Sequence, residues 1–499
     1  MNLLRKKFQF HQTITLFKTL FSGKADRSIY LVLALLIATY VYVLSYFSIL
    51  RHNAFASGFD LGNMNQTVWN TAYGKFFTLT TQNGNMSRLS IHADYVLIFL
   101  APFYWLWDNV RVLLIAESVF FGMAALPIFL IARHILQNKY IALCFSILYL
   151  VNPGILWANI YDFHSVSFAL PMLLFALYFV LKKQWKWYWV FAIFAMLAKE
   201  NISLTISAIG FVIYFYTGNK KQSILSVFVG LLYFLLTVFI IMPLFSPEGH
   251  HWALSWFRHT EQSTTAQYIP PPEFVVNRLF YDSLTKEYIY MLMRQWGFLP
   301  LLGLPLLILS IPDLVINIFS AQGQMRSIYF HYDVVISAGM IVSSIFGIYY
   351  VRKFVLHFTK SHMYAQIASY SMMFVGMVIG LHFAYYYAPL PTAPGCLCYI
   401  YNVTEEDRKF SALLRTIPHT ASVTASPEIR PHVTRREVSY TLPVATDSAD
   451  FIAIIDQNRM VGNYEPKDFE LRLLEILDRE NKYTRVEKIG HFYLYKRNK

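Results

Sequence analysis

Charge is scarce in this chain. Asp, Glu, Lys and Arg make up 14% of its 499 residues, against 56% hydrophobic residues and a mean hydropathy of +0.40. So little charge cannot coat an ordinary soluble domain, and the composition reads as a polytopic membrane protein. Acids are scarcer than bases, 29 against 42, which leaves a formal charge of +13. That balance would suit a nucleic acid, yet the Lys and Arg residues fall in short clusters between apolar runs rather than along one face. No nucleic-acid partner is expected, and membrane orientation accounts for the clusters. Cysteine is nearly absent: Cys144 in an apolar run, and Cys396 and Cys398 two residues apart, form neither a disulfide framework nor a metal-ligand pattern. No small-residue cleavage site follows the basic start MNLLRKKFQF, so the first span is expected to stay as an anchor. No internal repeat or low-complexity stretch is evident.

What is abundant is long apolar runs. About 20 apolar residues cross a hydrocarbon core, and residues 29–50 are the clearest such segment. Others lie near 110–132, 140–157, 165–181, 187–216, 222–245, 296–320, 333–351 and 365–388. The run 91–107 is short and rich in Trp and Tyr, which suits either a span or an interfacial helix. Basic residues before the first span (Arg5, Lys6, Lys7, Lys18, Lys24, Arg27), then Arg133 and Lys139, Lys182 to Lys186, Lys220 and Lys221, and Arg352 and Lys353, mark one side as cytoplasmic. The N-terminus is then cytoplasmic. The loops holding Asp60, Asp162 and His164, and the segment 246–293, share the opposite side. Residues 187–216 are interrupted by AKEN at 198–201, which predicts two short helices turning at Lys199 and Glu200, and 296–331 poses the same pattern. Counting both as re-entrant pairs puts the C-terminal region outside.

The composition changes at the Pro-rich linker 389–403. After it, 404–499 reads as a small soluble α/β domain: helices near 404–416 and 466–480, and strands in ASVTAS, EVSYTL, FIAIID, TRVEKIG and FYLYKR. The membrane part, 1–388, carries its largest early loop at 51–109.

The side chains able to do chemistry lie in the loops opposite the basic side. Asp60, in ASGFDLGNMNQTVWN, either caps the helix that follows it or stands at the membrane surface as a general base or metal ligand. His92 and Asp94 begin an apolar run, and Asp162 and His164 share a short turn; each is either an ordinary interfacial residue or part of a site with Asp60. Their spacing matches no compact metal motif, although a divalent ion is a possible cofactor. Lys199 and Glu200 interrupt an apolar segment, where a charge is costly unless paired or wet. Lys199 either pairs with Glu200 or Glu117, or holds an anion such as a phosphate. Arg326 and His331, just before a span, are further candidates for phosphate contact, with Arg326 otherwise a flanking anchor. The segment SPEGHHWALSWFRHTEQ reads as an interfacial cover. In the tail, Arg430, His432, Arg435 and Arg436 form the most basic segment, either solvated or a partner surface.

Taken in order, FDLGNMNQTVWN, IHADYVLIFLAPFYWLW, YDFHSVSFALP, LAKENISL, FHYDVVI and PHVTRREVSYTLP make a sequence that resembles a bacterial and archaeal family of polytopic membrane proteins of unknown function, over nearly the whole chain. That family in turn resembles the GT-C glycosyltransferases, which include protein O-mannosyltransferases and the lipid A aminoarabinose transferase. The resemblance implies a GT-C-like bundle of about 9–11 membrane segments, a polyprenyl-phosphate sugar donor, and a glycan, lipid or protein acceptor outside the membrane. It makes Asp60 the catalytic acid/base, Lys199 the residue facing the donor phosphate, and His92, Asp162, His164, Glu200, Arg326 and His331 its substrate-binding company. Many GT-C members carry paired acids where FDLG has one. The rival readings are a transporter or flippase, for which inverted repeats are expected and not seen, and a scaffold that tolerates loss of Asp60.

Overall fold

The structure is a computed structural model, described here over residues 24–81, 84–247, 249, 270–459 and 466–498. The basic cluster Arg5 to Lys18 and most of SPEGHHWALSWFRHTEQ lie outside the described residues.

Apolar runs without interior charge form helices because in lipid only a helix satisfies its own backbone. Among the described residues five are long and apolar enough to cross a membrane: α1 (reaching Asn53 from Lys24), α4 (Arg111–Leu136), α10 (Lys220–Phe245), α13 (Val334–Thr359) and α14 (His362–Tyr387). Two bent pairs raise the count to seven. The first joins α5 (Lys139–Leu150) to α6 (Pro153–Tyr161) at 43°. The second joins α11 (Ser283–Arg294) to a 3₁₀ segment, Leu299–Leu309, at 108°. The rest of the expected nine to eleven segments are short helices. Among them, α7 (Val166–Leu181), α8 (Trp185–Met196) and α9 (Ile202–Thr217) show that 187–216 does break at 197–201. The run 91–107 holds only Tyr95–Leu106, including α3 (Ala101–Leu106). At 1.5 Å per residue it is far too short to cross, and Phe103, Trp105 and Leu106 lie exposed along it, as an interfacial helix requires.

The core of the bundle is α13, 83% of whose apolar window is buried, with α4 beside it. The 3₁₀ segment Leu299–Leu309 lies against α13 so closely that a Cβ on Gly303 would sit 2.0 Å from the Ser343 carbonyl oxygen, and Ser343 donates its hydroxyl to the Pro300 and Gly303 carbonyls. Small residues are what let backbones approach this way where no hydrophobic force separates lipid from side chain.

Between α1 and α4 lies a loop built of α2 (Phe59–Ala72), a hairpin of β1 (Thr78–Thr81) and β2 (Gly84–Ser87), and α3. α12 (Ile311–Phe319) precedes α13. After α14 the chain forms α15 (Glu405–Leu414), β3 (Val423–Ala425), α16 (Arg430–Val433), β4 (Ser439–Thr441), β5 (Phe451–Ile455), α17 (Asp468–Arg479), β6 (Tyr483–Ile489) and β7 (Phe492–Arg497). The sheet runs β4-β3-β5-β7-β6, parallel among the first three strands and antiparallel at β7 and β6. Each helix and strand expected in the tail is present; α16 was not foreseen. A mainly helical polytopic membrane protein with a small C-terminal α/β part is therefore the observed class.

The C-terminal part is locked to the loop after α1. Phe55 enters its core among Phe410, Phe492 and His432. Arg430 is fully buried and spreads its guanidinium over α2 and β1, donating to Asn63 Oδ1 (2.6 Å), Gln66 Oε1 (3.0 Å) and the Thr80 carbonyl (2.8 Å). Its partners are all neutral, so burial alone sets its charge, pulling its pKa down to about 9. The solvated reading of the basic tail segment is thereby overturned: His432 stacks on His52, Arg436 donates to the Val433, Pro418 and Ala421 carbonyls, and Arg435 reaches Asp108. Cys396 and Cys398, uninformative in the sequence, are joined as a disulfide in the linker.

Candidate functional site

Asp60 does not cap its own helix. Gly58, at the N-cap of α2, contributes no side chain, and the orphan N–H groups of Gly58 and Leu61 donate instead to Asp162 Oδ2, at 3.1 and 3.3 Å. Asp162 in turn accepts from Arg51 at the end of α1, 2.9 Å away, and both side chains are buried. Burial raises Asp162 to about 6 while Arg51 opposes the rise. The carboxylate thus serves as a helix cap supplied from a turn a hundred residues away, and this releases Asp60 for other work.

Asp60 is the open member of the group, with 38% of its side chain exposed, and Oδ2 lies 3.4 Å from Nε2 of His164, which is 8% exposed. The His164 Nδ1 faces the Asp162 carbonyl oxygen at 2.8 Å, an acceptor only, so Nδ1 carries a proton and Nε2 is the atom turned to Asp60. The ring is fixed from three directions: that carbonyl, its own backbone N–H donating to Glu117 (3.0 Å), and His331 stacked on its face at 3.5 Å. Burial works to raise Asp60, but the His164 hydrogen bond and the charges of His164, Arg88 and His92 outweigh it and hold the carboxyl below its ordinary value. Asp60 is an ionised, partly exposed carboxylate beside His164, with the buried guanidinium of Arg88 acting on it from further off. His331 is driven well below the usual imidazole value by burial and by His164 against it, so the stacked rings do not both ionise.

The break between α8 and α9 approaches the same place. Glu200 accepts from His92 Nδ1 (2.9 Å) and from the Ala93 N–H (3.1 Å), and Val96 donates to the Leu197 carbonyl (2.9 Å), which fixes the loop that carries His92. Burial and Lys199 bring His92 down to about 4. Of the two readings of Lys199, the pair with Glu200 or Glu117 does not form, both acids being engaged elsewhere, and no carboxylate pairs with it among the described residues. It acts electrostatically on His92, His331 and Asp313.

Two further residues complete the frame, of which sequence reasoning passed over Arg88. Arg88 grips Asp94 at 2.6 Å with both side chains buried, and Asp94 also accepts from Ser165, next to His164. Arg88 stands out only as a base on the side where bases are few. Tyr332, pushed up to about 12 by burial and then by the charge of Asp60, stays neutral. Of the sequence candidates, Asp60, Asp162, His164, His331, His92, Glu200 and Lys199 are linked by contact or charge. Arg326 is not: it donates to the Ile318 and Ser320 carbonyls and lies 3.8 Å from Asp282. Among the described residues no group of three His, Cys, Asp or Glu side chains is placed to hold a metal ion. Asp162 is already used by Arg51 and backbone N–H groups, so the set does not fit a metal and none enters the chemistry below.

No curated protein matches the sequence. Among solved structures, ArnT from Cupriavidus metallidurans bound to undecaprenyl phosphate is similar over 93% of this chain and 97% of its own, at 10% identity and a TM-score of 0.53. Its apo-state structure gives 0.49 at the same identity and coverage. The likeness to the lipid-bound structure is one of fold, the GT-C architecture expected from the sequence. A family model described as a predicted membrane protein, DUF2079, matches residues 51–488, which takes in the loop, the bundle and the C-terminal sheet. The chain belongs to the DUF2079 family of predicted membrane proteins.

Proposed function

We propose that this protein is a GT-C glycosyltransferase that moves a sugar from a polyprenyl-phosphate donor to an acceptor outside the membrane. The observation that carries the reading is Asp60: a single open carboxylate, kept ionised by His164, on a helix whose first turn is fixed by Asp162 and Arg51. In the reaction the acceptor hydroxyl attacks the anomeric carbon and gives its proton to Asp60. The bond from that carbon to the phosphate oxygen breaks, and the electron pair leaves as polyprenyl phosphate. A phosphate leaving group calls for positive charge rather than a proton. Lys199, with no carboxylate partner among the described residues, supplies it, and Arg88 adds to the positive field around the site.

That ArnT was captured with undecaprenyl phosphate supports the same class of lipid here. The acid-poor, base-rich turns support a cytoplasmic N-terminus, and the Cys396–Cys398 disulfide supports an oxidising, extracytoplasmic setting for the linker and the C-terminal part. The bent helix pairs would equally suit a transporter. One assay separates the two: purified protein, radiolabelled polyprenyl-phosphate hexoses and an envelope extract as acceptor source, comparing wild type with Asp60→Asn. Label should appear in the acceptor with wild type and vanish with the variant; movement of intact donor across a vesicle without transfer would overturn the reading.

A further inference from the structure

The side of the molecule away from Asp60 carries a second constellation of charge. Lys353 and His357 fall at i and i+4 on the last two turns of α13, Lys360 follows as its left-handed C-cap, and His362 opens α14 across the turn. With Leu356 they line an open cleft of about 530 Å³. No Asp or Glu occurs between Asp333 and Glu405, so nothing on either helix neutralises them. The neighbouring corner between α4 and α5 carries Arg133, His134 and Lys139 at the helix ends, Arg133 donating to the Tyr30 hydroxyl (3.1 Å). It also braces the hairpin, with Arg352 donating to the Leu136 carbonyl (2.7 Å) and Asn138 to the Tyr370 hydroxyl (2.7 Å). Ser361 caps the first turn of α14 by accepting the Tyr364 N–H (3.4 Å), and the positive end of this long helix lies at His362, which lines the same cleft.

Depth decides what fills it. α13 has 26 residues, about 39 Å at 1.5 Å each, against a hydrocarbon core of about 30 Å. Its last turns therefore stand in the headgroup layer. There it exposes Phe354 (64%) and Phe358 (69%), and α14 exposes Met363 and Tyr364, apolar surface set beside the cations. A cationic cleft rimmed by aromatic surface at headgroup depth matches a phosphate that arrives attached to acyl chains, not one free in solution.

We infer that the α13–α14 hairpin binds the headgroup of an anionic phospholipid, with Lys353 and Lys360 as its phosphate contacts. The site is independent of the transferase reading and on the other side of the bundle. The test is native mass spectrometry of the full-length protein released from mixed micelles of phosphatidylglycerol and phosphatidylcholine. Wild type should retain phosphatidylglycerol in preference. Lys353→Ala/Lys360→Ala, at two exposed positions, should cut that preference on the order of 30-fold, about fivefold for each lysine near the surface. Lys182→Ala/Lys183→Ala, in a different basic turn, should leave it in place. Absence of a preference in wild type, an equal loss in the control variant, or displacement of the lipid by inorganic phosphate in excess would each overturn the proposal.

Discussion

Replacing Asp162 should damage the protein by two separable routes. Its side chain is 1% exposed, its partner Arg51 6% exposed, and their atoms are 2.9 Å apart. Asp162→Ala leaves a guanidinium buried with the Ile160 carbonyl (3.0 Å) and the face of Tyr161 but no counter-charge, and removing one partner of a buried pair costs about 3–5 kcal/mol. It also strips the acceptor from the Gly58 and Leu61 N–H groups, so we expect a loss at the upper end of that range. Asp162→Asn keeps an acceptor oxygen and gives up the charge, and the loss should be about half as large. Arg51→Met on top of Asp162→Ala removes the stranded charge and should restore part of the loss, a coupling a double-mutant cycle isolates. Thermal unfolding in detergent, followed by tryptophan fluorescence, gives the ranking. Equal damage from Asn and Ala, or strictly additive effects of the two sites, would refute the account of Asp162 as both cap and counter-ion.

Three more outcomes are expected. Arg430→Lys should fail to replace the native residue, because an ammonium cannot reach Asn63, Gln66 and the Thr80 carbonyl together; we expect a loss of about 2–4 kcal/mol, seen as C-terminal fragments in limited proteolysis, with Arg430→Met no worse than Lys. His164→Gln should shift the acid limb of the transfer rate: Asp60 must be ionised to accept a proton, activity falls as pH drops through its pKa, and losing the His164 bond leaves burial to raise that pKa, so the limb moves to higher pH. A limb that stays put would detach His164 from Asp60. Membrane-impermeant maleimide applied outside intact cells should label Cys396 and Cys398 only after reduction; labelling without reductant would argue against the disulfide, and labelling only after lysis would reverse the orientation.

What the sequence revealed and what it hid follow from range. Spans were legible because each is a local run satisfying its own backbone, and the break at 198–201 because Lys199 and Glu200 interrupt one. The strands of the tail were legible for the same reason. Roles settled by distant partners were not. Capping stayed open as one reading of Asp60 because caps normally sit beside the helix they serve, whereas the true cap, Asp162, reaches in from a hundred residues downstream. Arg430 looked solvated because its partners Asn63 and Gln66 are neutral and lie far back in the chain, so no charge pattern announces them. Arg88 and Asp94 satisfy each other within one short loop, a pairing that reads like any interfacial motif.

The Arg430 clamp also imposes an order on biosynthesis. Its guanidinium meets Asn63 across 367 residues of chain. At roughly 5–20 residues per second, the ribosome needs on the order of half a minute to supply it after Asn63 has been made. Through that interval α2 has left the ribosome without the side chain that seats it, and a message cut short before codon 430 yields a chain that inserts into the membrane but never closes its own loop.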